Sequence, residues 1–102
     1  MDTARFRAFP VHVKLGHIAS EVSRARSWHQ KGQRDHCQGA LSRALELLSC
    51  ALEDPLTPGW KKELTSLQEI LSRFHDQGAA YDVSLAELEE HLIKVVVAFR
   101  RT

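Results

Sequence analysis

The chain has 102 residues, of which 43% are hydrophobic and 26% are charged, and its formal net charge is +1. These ordinary values exclude a disordered chain and a coiled-coil rod, and the length predicts one domain (1–102) with a modest core. No stretch approaches the roughly 20 apolar residues that a membrane span needs, and the start of the chain has no apolar run typical of a secretory signal. We therefore expect a cytoplasmic protein that does not contact a membrane.

The first predicted helix follows an N-terminal arm, residues 1–9. Pro10 suits the first turn of a helix, where its missing N–H costs nothing. Over residues 10–31, apolar side chains recur at intervals of three and four, which places them on one helix face. They are Val11, Leu15, Ile18, Val22 and Ala25. Gly32 is placed to end the helix in a left-handed conformation.

The second helix is predicted over residues 35–53, with Asp35 as its N-cap. Further apolar residues widen its central stripe, so we expect this helix to contact more than one neighbour. The stripe consists of Cys37, Leu41, Ala44, Leu48 and Ala51. Cys37 and Cys50 fall on different faces, roughly 19 Å apart along the helix. We therefore predict that both cysteines stay reduced and largely buried.

Two further helices are predicted over residues 58–75 and 84–101. Thr57 is the expected cap of the third helix, and Ser84 with Glu87 reads as a capping box for the fourth. The third stripe consists of Trp60, Leu64, Leu67, Leu71 and Phe74. The fourth consists of Leu85, Leu88, Leu92, Val96 and Phe99. Because the connections are short, we predict an all-α fold, an antiparallel up-down-up-down four-helix bundle.

The fourth helix has more apolar surface than a monomeric bundle needs to bury. Ala86, Ile93 and Val97 lie about 100° away from its core stripe. An exposed apolar strip of this kind is typical of a contact between proteins. We predict that this flank takes part in a homodimer.

Charge is distributed unevenly along the chain. Residues 1–34 carry seven Lys or Arg against two acids, whereas residues 35–102 carry seven against eleven. The opposite charges can complement one another within the bundle or across a dimer. Alternatively, the basic third of the chain forms a face that binds RNA.

No pattern in the sequence specifies a reaction, so we predict no catalytic residue, no metal and no cofactor. Glu87 precedes His91 by four residues instead of the three found in di-iron carboxylate bundles, and this spacing indicates a surface pair. His29, His36 and Cys37 flank the first connection at irregular spacing. We therefore interpret them as partly exposed turn residues, in preference to ligands of a zinc site.

A second stripe on helix one is the most informative surface pattern. It consists of His17, Glu21, Arg24 and Trp28, at spacings of four, three and four. It stands about 110° away from the core stripe, and lysines flank it. Trp and Arg are enriched at the energetic centres of protein interfaces, and they also bind single-stranded nucleic acid. The alternative is that Trp28 folds against helix two or its connecting turn.

Two resemblances accompany these patterns. Residues 18–28, followed by residues 40–48, resemble small bacterial helical-bundle proteins, which implies a fold and no activity. Arg24 and His29 are similar in spacing to the Arg and His that serve RNA cleavage in the HEPN superfamily of often dimeric helical bundles. This sequence differs from that family in three ways. The pair lies in the first helix instead of late in the chain, Ala25 stands where a polar residue usually follows the Arg, and the two side chains point about 140° apart.

We therefore predict a non-enzymatic protein-interaction or adaptor module that acts as a homodimer. Its surfaces would be the helix-one stripe and the flank of helix four. The alternative is an HEPN-like RNA-binding protein or ribonuclease.

Overall fold

The computed structural model of the protein describes residues 6–77 and 84–101, and these residues form four helices and no strand. The helices are α1 (Val11–Gln30), α2 (Arg34–Leu52), α3 (Pro58–Gln77) and α4 (Leu85–Arg100). Each begins and ends within two residues of its predicted bounds. Residues 1–5 of the predicted arm and Thr102 lie outside the described residues.

The helices run antiparallel to their neighbours, as contacts between opposite helix ends show. Gln38 near the start of α2 donates a hydrogen bond of 2.8 Å to a backbone carbonyl near the end of α3. Arg26 near the end of α1 pairs with Glu89 near the start of α4 at 3.2 Å. Since α1 also packs against both α2 and α4, and α2 packs against α3, the predicted all-α up-down-up-down bundle is confirmed.

Gly32, Ser84 and Thr57 mark helix ends as predicted, whereas Pro10 is the N-cap directly before α1 instead of a residue of its first turn. Gly32 has a φ of +72°, a left-handed conformation in which glycine is favoured. Ser84 accepts a hydrogen bond of 3.1 Å from the Glu87 amide, and Thr57 accepts one of 3.3 Å from the amide three residues later. Asp35 was wrong as the cap of α2. That helix begins one residue earlier, and Asp35 lies inside its first turn, where a carboxylate faces the positive end of the helix dipole.

The core contains most of each predicted stripe, but Val11 and Trp60 at the starts of two stripes are half-buried, and α4 differs further. In this helix the buried positions are Leu85, Leu88, Leu92 and Val95, whereas the predicted Val96 and Phe99 are only half-buried. Val96 lies further round the helix, on the side of Glu89, which contacts α1. Val95 therefore takes the buried position that the sequence pattern assigned to Val96.

Two further features concern the arm and the cysteines. Phe6, which the sequence placed in the arm, is 5% exposed and belongs to the core, and Phe9 packs against that core. Cys37 and Cys50 are free and buried, as predicted. Burial raises the pKa of the Cys37 thiol above its ordinary value.

Within residues 6–77 and 84–101, every helix is too short or too polar to cross a lipid bilayer.

Candidate interaction surfaces

Glu21, at the centre of the helix-one stripe, is buried. It is 6% exposed and accepts a hydrogen bond from Arg24 on its own helix. The Arg43 guanidinium of α2 donates a second one of 2.8 Å to the other carboxylate oxygen. Two cations therefore neutralise a carboxylate that the bundle encloses, and this cluster joins α1 to α2.

Trp28, at the end of the same stripe, packs against the start of α2. Its ring stacks on the His36 ring with centroids 4.4 Å apart, and the Lys31 ammonium lies 5.2 Å from the indole centroid. The side chain is half-buried against the core. This is the arrangement in which Trp28 folds against helix two and its connecting turn.

His17, at the other end of the stripe, contacts the aromatic residues that precede α1. Its ring lies 5.6 Å from the Phe9 ring, stacked, and 5.8 Å from the Phe6 ring. His17, Glu21 and Trp28 thus contact other parts of the chain, whereas Arg24 is bonded to Glu21 within the stripe and is 62% exposed. The structure does not bring the four together as one open surface, and their role in binding a partner stays a prediction.

Three basic residues of the first third, Arg7, Lys14 and Arg26, are paired with acids from elsewhere in the chain. Lys14 does not flank an open strip: it is 1% exposed, and its ammonium lies 2.8 and 2.9 Å from the two carboxylate oxygens of Asp54. Arg7 pairs with Glu53 at 3.2 Å, and Arg26 pairs with Glu89. This pairing favours charge complementarity within the bundle over an open basic face.

The flank of α4 is the surface that stays uncovered. Ile93 is 51% exposed and Val97 is 43% exposed, and they are the exposed large hydrophobic residues of the described chain. Ala86 is exposed on the same side, which lies opposite the core residues of α4. We call Ala86, Ile93 and Val97 the outer face of α4. Its exposure is the property that the sequence pattern predicted.

The charged residues beside this outer face change sign along the helix. The first half of α4 carries Glu87, Glu89 and Glu90, and the second half carries Lys94 and Arg100, followed by Arg101. Glu90 and Lys94 approach to 3.5 Å, but both side chains are at least 70% exposed. The outer face therefore has an acidic end, an apolar centre and a basic end.

A groove of about 540 Å³ separates the beginning of α3 from the end of α4. Trp60 and Val95 line it, and Glu63 of α3 bonds across it to His91 of α4 at 2.8 Å. The predicted surface pair of His91 with Glu87 was wrong, because the neighbouring helix supplies a closer carboxylate. Sequence spacing carries no signal of a partner that lies 28 residues away.

Among the described residues, no three His, Cys, Asp or Glu side chains are close enough together to hold a metal ion. His29, Cys37 and Arg34 instead line a second opening, at the end of the bundle where α1 passes into α2.

Comparison of the chain with known protein families, with curated proteins and with solved structures finds no match.

Proposed function

We propose that this chain is a non-enzymatic protein-interaction module that acts as a homodimer, and that the outer face of α4 forms the contact. The observation that carries the proposal is the exposure of Ile93 and Val97, one turn apart on one side of a helix. Large apolar side chains grouped in this way lose contact with water when a partner covers them. We also propose that the chain acts in the cytoplasm, where its two buried thiols would stay reduced.

The charges bordering the outer face favour a second copy of the chain as the occupant. In an antiparallel pair related by a two-fold axis between Ile93 and Val97, Ile93 of one copy faces Val97 of the other. The same axis brings Glu90 of one copy next to Arg100 of the other, and does so twice. In this pairing the apolar centres face each other and the acidic end of each copy faces the basic end of the other.

The size of this contact limits its strength. One helix from each protomer buries an area at the lower end of specific interfaces, below about 1,200 Å² in total. We expect a reversible dimer with a Kd roughly in the micromolar range, which is typical of contacts of that size.

Replacing Ile93 by Glu tests this proposal. We expect the Kd of the dimer to rise about a hundredfold, because apolar contact is lost and a carboxylate is introduced twice, once on each side of the axis. Sedimentation velocity over a range of concentrations measures the change. Circular dichroism should show an unchanged fold, since the side chain is 51% exposed.

Ser66→Glu is the matched control. Ser66 is exposed on α3, so this variant adds the same charge away from the outer face and should dimerise like the parent. A parent protein that stays monomeric throughout, or an Ile93→Glu variant that dimerises as well as Ser66→Glu, would refute the proposal.

The alternative of an RNA-binding or RNA-cleaving protein has less support. Arg24, the first residue of the HEPN-like pair, is bonded to Glu21, and the basic residues Lys14 and Arg26 are also paired. His29 is exposed but lines the opening near the start of α2. This geometry supports the protein-interaction function over the nuclease.

A further inference from the structure

A cavity of about 340 Å³ lies at the end of the bundle where α1 passes into α2. Its apolar wall comes from three helices: Leu41 of α2, Phe74 of α3 and Leu85 of α4 are each at most 7% exposed. Cys37 lines the same wall. A volume of this size is at the lower end of the roughly 300 to 1,000 Å³ that small-molecule sites occupy.

One charged side chain, Arg34, lies at the mouth of this cavity among its described lining residues. It is exposed and forms no hydrogen bond or ion pair with any described residue, in contrast to Lys14, Arg24 and Arg26. Gln38, which also lines the cavity, donates a hydrogen bond from its amide nitrogen to a backbone carbonyl of α3.

Arg34 has no acid beside it among the described lining residues, so its positive charge is complementary to an anion. A guanidinium binds a carboxylate through two parallel hydrogen bonds. An apolar wall with such a group at its edge matches a molecule that has an apolar body and one anionic end.

We propose that this cavity binds a small monocarboxylic acid, with its hydrocarbon body against Leu41, Phe74 and Leu85 and its carboxylate on Arg34. The site is separate from the outer face of α4, so the binding does not depend on the proposed dimer. The chain would then have a ligand-binding site in addition to its proposed protein-interaction surface.

Octanoate is the probe, and octylammonium, with the same chain and the opposite charge, is the control. Titration calorimetry on the full chain should show saturable binding of octanoate and binding of octylammonium that is at least about tenfold weaker, as expected when one charged contact decides the preference. Arg34→Glu should weaken octanoate binding by at least the same factor. Lys62→Glu, which makes the same charge change on an exposed residue of α3, should leave it unchanged.

Alkylation of Cys37 supplies a second readout that needs no substitution. In mildly alkaline solution, iodoacetamide should modify Cys37 more slowly when octanoate is present, because the ligand covers the cavity wall. Cys50 is also buried but does not line the cavity, so its rate should not change. Peptide mass spectrometry separates the two sites.

Three results would overturn the proposal. They are an absence of saturable octanoate binding, equal binding by parent and Arg34→Glu, and equal binding of octanoate and octylammonium. Binding that leaves the alkylation of Cys37 unchanged would place octanoate elsewhere on the molecule and would also refute this site. None of these results bears on whether the chain dimerises.

Discussion

Replacing Asp54 by Ala is expected to lower the free energy of unfolding by about 3 kcal/mol, because the buried Lys14 ammonium then lacks its counter-ion. The Lys14 side chain is 1% exposed, and both carboxylate oxygens of Asp54 lie within 2.9 Å of its Nζ. Breaking a buried pair in this way costs about 3 to 5 kcal/mol. The lower value is expected here because Asp54 is itself 22% exposed. Urea denaturation measures the change.

Two control variants test whether the loss of stability comes from the buried, unpaired Lys14 charge. Lys14→Met removes the charge but keeps an unbranched apolar side chain, so it should change the stability by only about 1 kcal/mol or less. Glu53→Gln breaks the pair with Arg7, whose two side chains are 57% and 58% exposed, and should cost less than about 1 kcal/mol. An Asp54→Ala variant that is no less stable than Glu53→Gln would contradict this interpretation of the ion pair.

Removing Arg24 and Arg43 together is expected to cost about 3 kcal/mol or more, although each alone should cost about 1 kcal/mol or less. The arginine side chains are 62% and 44% exposed, so truncating one buries no new charge, and the other still neutralises Glu21. Truncating both leaves a carboxylate that is 7% exposed without any partner. In urea denaturation, the double variant should therefore lose more unfolding free energy than the two single variants lose together.

A third substitution checks the cause of that excess. Glu21→Gln, added to the double Arg variant, removes the buried charge and should restore part of the lost stability. If the two Arg→Ala effects simply add, Glu21 does not depend on them. Additive effects would therefore contradict this account of the cluster.

Local patterns predicted the fold because each one depends on neighbouring residues. The intervals of three and four in α1 mark its buried face, and Gly32 and Ser84 mark helix ends, without reference to the rest of the chain. The exposed outer face of α4 was predicted for the same reason. Ile93 and Val97 lie about 100° or more around the helix from its core stripe.

Contacts between distant residues were not predicted, and they decide which polar residues belong to a site. Glu21 lies about 110° from the core stripe, a position typical of solvent-facing charge, and it is buried because α2 supplies Arg43. Lys14 is buried because Asp54 follows α2, 40 residues later. The cavity beside Arg34 likewise depends on how the ends of α2, α3 and α4 meet, which no local pattern encodes.

The self-pairing of α4 is the central claim, and a charge exchange across its two-fold axis tests it most directly. Sedimentation velocity would compare the parent with Glu90→Arg, with Arg100→Glu and with the variant that carries both substitutions. Both residues are exposed, so the fold should persist in all four proteins. Each single variant places like charges opposite each other twice and should weaken the dimer about tenfold.

The variant with both substitutions restores opposite charges at both places and should dimerise about as well as the parent. Such recovery occurs only if position 90 of one copy faces position 100 of the other, which defines the antiparallel arrangement. A parent that sediments as a monomer at tens of micromolar, or a double variant that is weaker than both single variants, would contradict the claim.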